Sequence, residues 1–299
     1  MLNKRLIALS GVTLVSALAI GFSMQRGAAV VPNTTPMTLA AEPELQLQDI
    51  TLTSKAPSID AALGKPDGRR SAIPEPVTDD CGISLSATLA PLALVDLAFA
   101  APCHGNERVT VHHSGFMFTA TTGSDGSLSV QVPAMVENAV FIVELASGPG
   151  VVATTQVSGL DRIDRVALQW TGDSGLEIHA REFGAEYGQA GHVWSGAGDA
   201  GRASQVVRLG DDRQLAPRIV EIYSFDRNVA EQDGTVALSI EAEISGANCG
   251  REISAQTLEL RAGQGLQTRD LVLSMPNCNA IGDFLVLNNL VEDLKIAAK

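Results

Sequence analysis

From Cys81 to the C-terminus, apolar residues return at every second position in short runs that Gly, Pro, Asp and Ser turns interrupt. Side chains of an extended strand point alternately to its two faces, so this period of two marks half-buried strands. Gly82-Ile83-Ser84-Leu85-Ser86-Ala87 alternates in this way, and Leu94–Phe99 follows beyond Pro91. Val109–His113 and Phe116–Ala120 flank Ser114-Gly115, and Leu128–Val132 ends at Pro133. Val140–Leu145 and Val151–Thr155 flank Ser147-Gly148-Pro149-Gly150, and Val166–Trp170 and Leu176–Ala180 flank Thr171–Gly175. These read as hairpins. The pattern resumes at Ile219–Tyr223, Val236–Ile244, Leu258–Arg261, Leu271–Ser274 and Phe284–Leu287. No stretch beyond residue 80 holds a 3.6-residue apolar stripe over three turns, so the expected fold class is all-β. Aromatic residues are only 4% of the chain against 45% hydrophobic residues, so Val, Leu, Ile and Ala must fill the core.

The four cysteines bear on the same fold. Residues facing one another in an antiparallel hairpin have a constant sum of residue numbers. Cys81 and Cys103 sum to 184, which centres a turn on residue 92 beside Pro91. Cys249 and Cys278 sum to 527, which centres a turn within Ala262-Gly263-Gln264-Gly265. Facing Cα atoms lie about 4.5–5.5 Å apart, within the span of a disulfide. Two bridges, Cys81–Cys103 and Cys249–Cys278, are therefore expected to tie the open ends of two hairpins. Each would contribute about 3–4 kcal/mol by restricting the unfolded chain. A four-cysteine metal site would need a close Cys-x-x-Cys pair, which is missing.

Ahead of Cys81 the chain changes character. Lys4 and Arg5 precede Leu6–Met24, nineteen residues without a charge. At 1.5 Å per residue this run spans about 28 Å, close to the hydrocarbon thickness of a bilayer. Ala17-Leu18-Ala19 lies inside the run, and Ser23-Met24-Gln25-Arg26 is a poor cleavage context, so an uncleaved signal anchor over 1–26 is preferred to a removed signal peptide. The paired basic residues place the N-terminus in the cytoplasm. Residues 27–80 hold Pro32, Pro36, Pro43, Pro57, Pro66, Pro74 and Pro76 and no Phe, Trp or Tyr, the composition of a disordered linker. The expected plan is an anchor (1–26), a linker (27–80), a β-sandwich module (81–183), a Gly-rich loop (184–214) and a second β module (215–299). The expected location is the inner membrane, crossed once, with the C-terminal region in the periplasm.

The formal charge is −13; the anchor holds three of the 21 basic residues and none of the 34 acidic ones, so the remainder carries −16. A surface this acidic repels phosphate backbones, which argues against a nucleic-acid partner.

Val109–Pro133, with its two hairpin strands, Thr121-Thr122, Asp125-Gly126 and a strand closing on Pro133, resembles transthyretin-like and carboxypeptidase-regulatory-like β-sandwich modules. Such modules bind, space or present, and rarely catalyse. Asn106–His113, Ile178–Gly184 and Gly191-His192-Val193-Trp194 are similar to segments of uncharacterised alphaproteobacterial membrane-anchored envelope proteins, some of them labelled "translocase". That resemblance extends over most of the chain beyond Cys81 and implies an envelope location but no mechanism. Nothing in the sequence looks like a nucleotide motor or a multi-span channel.

The densest polar cluster is His179, Glu182, Glu186 and His192. On a helix, His179, Glu182 and Glu186 would share a face, as a hydrolytic metal site requires. Leu176-Glu177-Ile178-His179-Ala180 alternates like a strand, however, which turns Glu177, His179 and Arg181 together toward solvent. His112 and His113, adjacent on a strand, point to opposite faces and cannot ligate one ion jointly. Gly196-Ala197-Gly198-Asp199-Ala200-Gly201 matches the dinucleotide fingerprint in letters only, because no βαβ unit surrounds it. No Gly-x-Ser-x-Gly elbow occurs. Trp170, Trp194, Tyr187 and Tyr223 serve either as core plugs or as a recognition surface. The expectation is a binding or assembly module for another envelope component, without catalytic residues, metal or cofactor. The alternatives are a metal-assisted hydrolase using His179, Glu182 and His192, and a purely structural spacer.

Overall fold

Seventeen strands and four single turns of 3-10 helix make up the regular structure of a computed structural model that describes residues 81–197, 204–230, 232–261 and 263–297. The expected anchor and linker lie outside the described residues. Among the described residues no helix is long and apolar enough to cross a membrane. The fold is all-β, and every strand pairing is antiparallel.

The first seven strands are β1 (Ser84–Ala90), β2 (Leu94–Ala100), β3 (Arg108–His113), β4 (Phe116–Thr121), β5 (Ser127–Pro133), β6 (Asn138–Leu145) and β7 (Gly150–Gln156). They form sheet one, in the order β1-β2-β5, and sheet two, in the order β4-β3-β6-β7. Val95, Leu97 and Phe99 of sheet one meet Val109, Val111, Phe118, Phe141 and Val143 of sheet two in one apolar cluster. The β1–β2 ladder runs from Ser84 facing Ala100 to Ala90 facing Leu94, a constant sum of 184. That is the sum given by Cys81 and Cys103, which are disulfide-bonded with Cα atoms 5.2 Å apart.

The remaining strands are β8 (Ile163–Thr171), β9 (Leu176–Glu182), β10 (His192–Val193), β11 (Ser204–Leu209), β12 (Arg218–Asp226), β13 (Gly234–Glu243), β14 (Glu252–Leu260), β15 (Gln267–Ser274), β16 (Phe284–Asn288) and β17 (Leu294–Ile296). Sheet three has the order β11-β12-β8-β14-β15, and sheet four the order β10-β9-β13-β16, with β17 also on β13. The β14–β15 register sums to 526, one less than Cys249 and Cys278. Bonds from Met275 N to Arg251 O and from Gly250 N to Pro276 O carry the same register outward. The extra residue is therefore Asn277, between Pro276 and Cys278, and the bridge closes beyond it with Cα atoms 5.0 Å apart.

Sheet three is covered on both faces. Ile163 and Ala167 of β8, Val220 and Ile222 of β12 and Leu258 of β14 join the cluster of sheets one and two. Val166, Leu168 and Trp170, with Ile219, Tyr223 and Phe225, join a second cluster with Leu176, Ile178, Leu238 and Ile240 of sheet four. Double coverage explains why β8 and β12 are buried at nearly every position instead of alternating. It also shifts the division expected at residue 183. Strand β8 pairs with β12 and β14, and β9 with β13, so both belong with the C-terminal sheets. The Gly-rich stretch expected over 184–214 likewise contains β10 and β11.

Arg165 stitches the two halves together. It is fully buried, and its guanidinium donates to the carbonyl oxygens of Ala134, Leu92 and Ala93 and to Ser224 Oγ. Leu92 and Ala93 form the β1–β2 turn and carry left-handed backbone angles, φ 58° and 52°. Close by, His113 Nε2 accepts from Met135 N at 2.9 Å while Nδ1 donates to Val140 O at 2.9 Å. Burial depresses its pKa to about 4, so the ring is neutral near pH 7. Its neighbour His112 is half-buried on the opposite face, 3.8 Å from Glu144.

Candidate functional site

The outer face of sheet four carries the densest set of titratable side chains. Alternation along β9 sends Leu176, Ile178 and Ala180 into the core and turns Glu177, His179 and Arg181 outward. On β13 the outward residues include Ser239, facing His179, and Glu241, facing Glu177. On β16 they are Phe284, Val286 and Asn288, facing Glu243, Glu241 and Ser239. The segment after β9 then doubles back. His192 pairs with Arg181 and Val193 with Ala180, a register that sets Trp194 opposite His179.

This return covers what the alternation alone leaves exposed. His179 and His192 are each only 7% exposed, although the outward orientation of His179 is as expected. The Trp194 ring lies 5.4 Å from the His179 ring with planes 11° apart, and the His192 ring 5.1 Å away on another side. Gly196 completes the packing: a Cβ there would sit 2.3 Å from the Trp194 ring. The glycine serves this contact, where the dinucleotide fingerprint would have put it against a phosphate.

One backbone donor fixes the protonation of the histidine pair. Gly188 N–H points at His192 Nδ1, 3.1 Å away, so that nitrogen must be an acceptor. A neutral His192 then carries its hydrogen on Nε2, which lies 2.8 Å from His179 Nδ1 and donates to it. The His179 hydrogen sits in turn on Nε2, 3.3 Å from Glu177 Oε2 and 3.8 Å from Glu241 Oε2. Glu241, itself buried, also accepts from the Tyr187 hydroxyl and, at 3.0 Å, from Ser239 Oγ. Burial and the neighbouring His179 hold the His192 pKa below the usual histidine range. Burial and the bond to Glu241 raise that of Tyr187. The Arg181 guanidinium lies 5.1 Å from the centre of the Tyr187 ring.

The structure separates the three residues of the alternative, metal-assisted hydrolase. His179 and His192 come together, but Glu182 sits one step of the strand period from Arg181 and turns inward, where Tyr223 Oη donates to it at 2.7 Å. Glu186 is exposed on the connecting loop. Among the described residues no group of three or more His, Cys, Asp or Glu side chains could hold a metal ion. Of the aromatic residues, Trp170 and Tyr223 are buried in the second apolar cluster, while Trp194 and Tyr187 belong to this face.

Glu177 also borders a cavity of about 430 Å³ between the β8–β9 turn and the loop joining β11 to β12. Asp173, Asp212 and Glu243 line it as well. Among the described residues its one cationic side chain is Arg208, which stacks 5.2 Å over Trp170 and donates at 2.9 Å to buried Glu221. Glu221 accepts from Ile178 N at 2.8 Å with its other oxygen, which anchors β9 beside the cavity.

No protein-family model matches the chain, and no curated protein matches it.

Proposed function

We propose that the chain is a membrane-tethered, exported β-sandwich protein that binds or helps assemble another envelope component, without catalysis of its own, through the outer face of sheet four. The observation that carries this reading is the patch around Glu241. Tyr187, whose hydroxyl rests on Glu241, is 48% exposed, and Val286 and Phe284 on the neighbouring strand are 42% and 58% exposed. Apolar and aromatic side chains held in place by a buried polar network are the anchors that protein partners use. The network itself has little capacity left for chemistry. Both nitrogens of each histidine are engaged, and Glu241 accepts from two hydroxyls besides lying near His179.

The sandwich reading draws on sheets one and two, whose inner faces share one core. Consecutive strands β2 and β3 lie in different sheets and pair with β5 and β6, a Greek-key arrangement of the immunoglobulin or transthyretin kind. Export is supported by the uncharged run Leu6–Met24 and by the pairing of all four cysteines, which an oxidising compartment sustains. A partner on this face would present an apolar centre flanked by basic groups, to match Glu177, Glu241 and Glu243.

Photo-crosslinking in intact cells tests the reading. A photoreactive residue at Phe284 is expected to give a discrete protein adduct, and one at Val152 on sheet two is expected to give none. Failure of both Phe284 and Val286 positions to crosslink, with the chain present in the envelope, would reject the face as a docking site. Stoichiometric zinc on the purified chain, lost on His179→Ala, would favour the hydrolase instead.

A further inference from the structure

We propose that the His179–His192 pair is a proton-operated latch, holding residues 183–197 closed over the outer face of sheet four at neutral pH and releasing them on acidification. The inference deepens the binding reading above and rests on it for its consequence, since release would remodel the docking patch that Tyr187 shares with Val286 and Phe284.

The geometry admits one protonation state. His192 Nδ1 must stay bare to accept from Gly188 N, His192 Nε2 must carry a hydrogen to reach His179 Nδ1, and His179 Nδ1 must stay bare to receive it. An added proton on His192 Nδ1 opposes the Gly188 N–H. An added proton on His179 Nδ1 opposes the His192 Nε2 hydrogen across 2.8 Å. Shifting the His192 hydrogen from Nε2 to Nδ1 to avoid that clash restores the first conflict. Protonation of His179 Nδ1 breaks the link between the loop and the strand, and either change that puts a hydrogen on His192 Nδ1 breaks the turn at Gly188 that presents His192 to that strand.

Charged and titratable groups face the pair from three directions. From β9, Glu177 and Arg181 face it; from β13, Glu241; from the returning loop, Tyr187. Strand β16 contributes only the uncharged Phe284, Val286 and Asn288 to this side. Two carboxylates lie near His179 Nε2 on the strand side, and the loop-borne His192 is the ring that release displaces. Burial of His192 penalises a charge on that ring while the loop is closed. The sign follows: a histidine whose folded pKa is depressed contributes closure above the ordinary histidine range and loses that contribution as pH falls through it.

Hydrogen exchange followed by mass spectrometry on the full-length chain reads the latch without any partner. After correction for intrinsic rates, the amides of Gly188 and His192 are expected to lose about tenfold protection between about pH 7.5 and about pH 5.5. Those of β8 and β12 should change far less. The double variant His179→Gln/His192→Gln, which has no titrating ring, is expected to lose the pH step whether its loop lies open or closed. Equal protection of the loop at both pH values in the native chain, or a pH step that survives in the double variant, would overturn the latch. Because no partner enters this measurement, it can fail while crosslinking at Phe284 succeeds, and the reverse.

Discussion

Arg165, on the central strand of sheet three, hydrogen-bonds the carbonyl oxygen of Ala134 at the end of β5, so a buried cation closes the seam between the two halves of the fold. It also donates to Leu92 and Ala93 in a turn with left-handed angles, where the Ala93 carbonyl accepts from Ala134 N as well. Arg165→Met keeps much of the apolar stem and removes the guanidinium bonds to the Ala134, Leu92 and Ala93 carbonyls. A loss of about 3 kcal/mol in unfolding free energy is expected, read by denaturant titration. Lysine, with one nitrogen in place of a planar fork, should recover less than half of it.

Acid should weaken the same seam through His113. The folded pKa of about 4 lies below the ordinary histidine value of 6.5, so the stabilisation is complete above about pH 6.5 and is lost as pH falls toward 4. The full difference amounts to roughly 3 kcal/mol. His113→Gln, which offers one acceptor and donors in a similar place, should flatten the pH dependence of the denaturation midpoint. An unchanged slope in that variant would assign the acid lability to other groups.

How far the sequence reveals this structure depends on whether a contact is local. The β1–β2 register follows from the cysteine positions because both strands are regular from bridge to turn. The second hairpin departs by one residue, since Asn277 is inserted where Pro276 brings no N–H to continue the ladder. Alternation along β9 places His179 outward, yet its burial depends on the segment that returns at His192-Val193, a pairing of two residues and too short to leave a period. Strand β11 was equally hidden behind the Gly-rich composition around it. The signal that bears on the site was Gly196. Read beside Trp194, a glycine two residues beyond an aromatic ring points to a ring packed on the backbone, which is what the structure shows.

The two disulfides should contribute comparably. Their sequence separations of 22 and 29 residues differ little on a logarithmic scale, so replacing either pair by serine is expected to cost about 3 kcal/mol. Peptide mapping of the unreduced chain should recover Cys81 with Cys103 and Cys249 with Cys278. Crossed linkages would contradict both hairpin ends, and with them the register of β1 on β2 and of β14 on β15.

Gly196→Ala should disturb the candidate site without unsettling the core. A Cβ at this position would lie 2.3–2.8 Å from the Trp194 ring, closer than van der Waals contact permits, so the ring must move off His179. The core beneath is held by Ile178, Ala180 and Val193 on the inward side of the same strands, and it does not depend on that ring. Global stability should therefore change by less than about 1 kcal/mol, the range of substitutions outside the packed interior. The loop, by contrast, should open more often, with Gly188 and His192 exchanging several-fold faster. In a Trp170→Phe background only Trp194 emits, and its fluorescence should shift to longer wavelength as the indole meets water. An unaltered spectrum with unaltered exchange would mean that the ring is held by something other than its stack on His179.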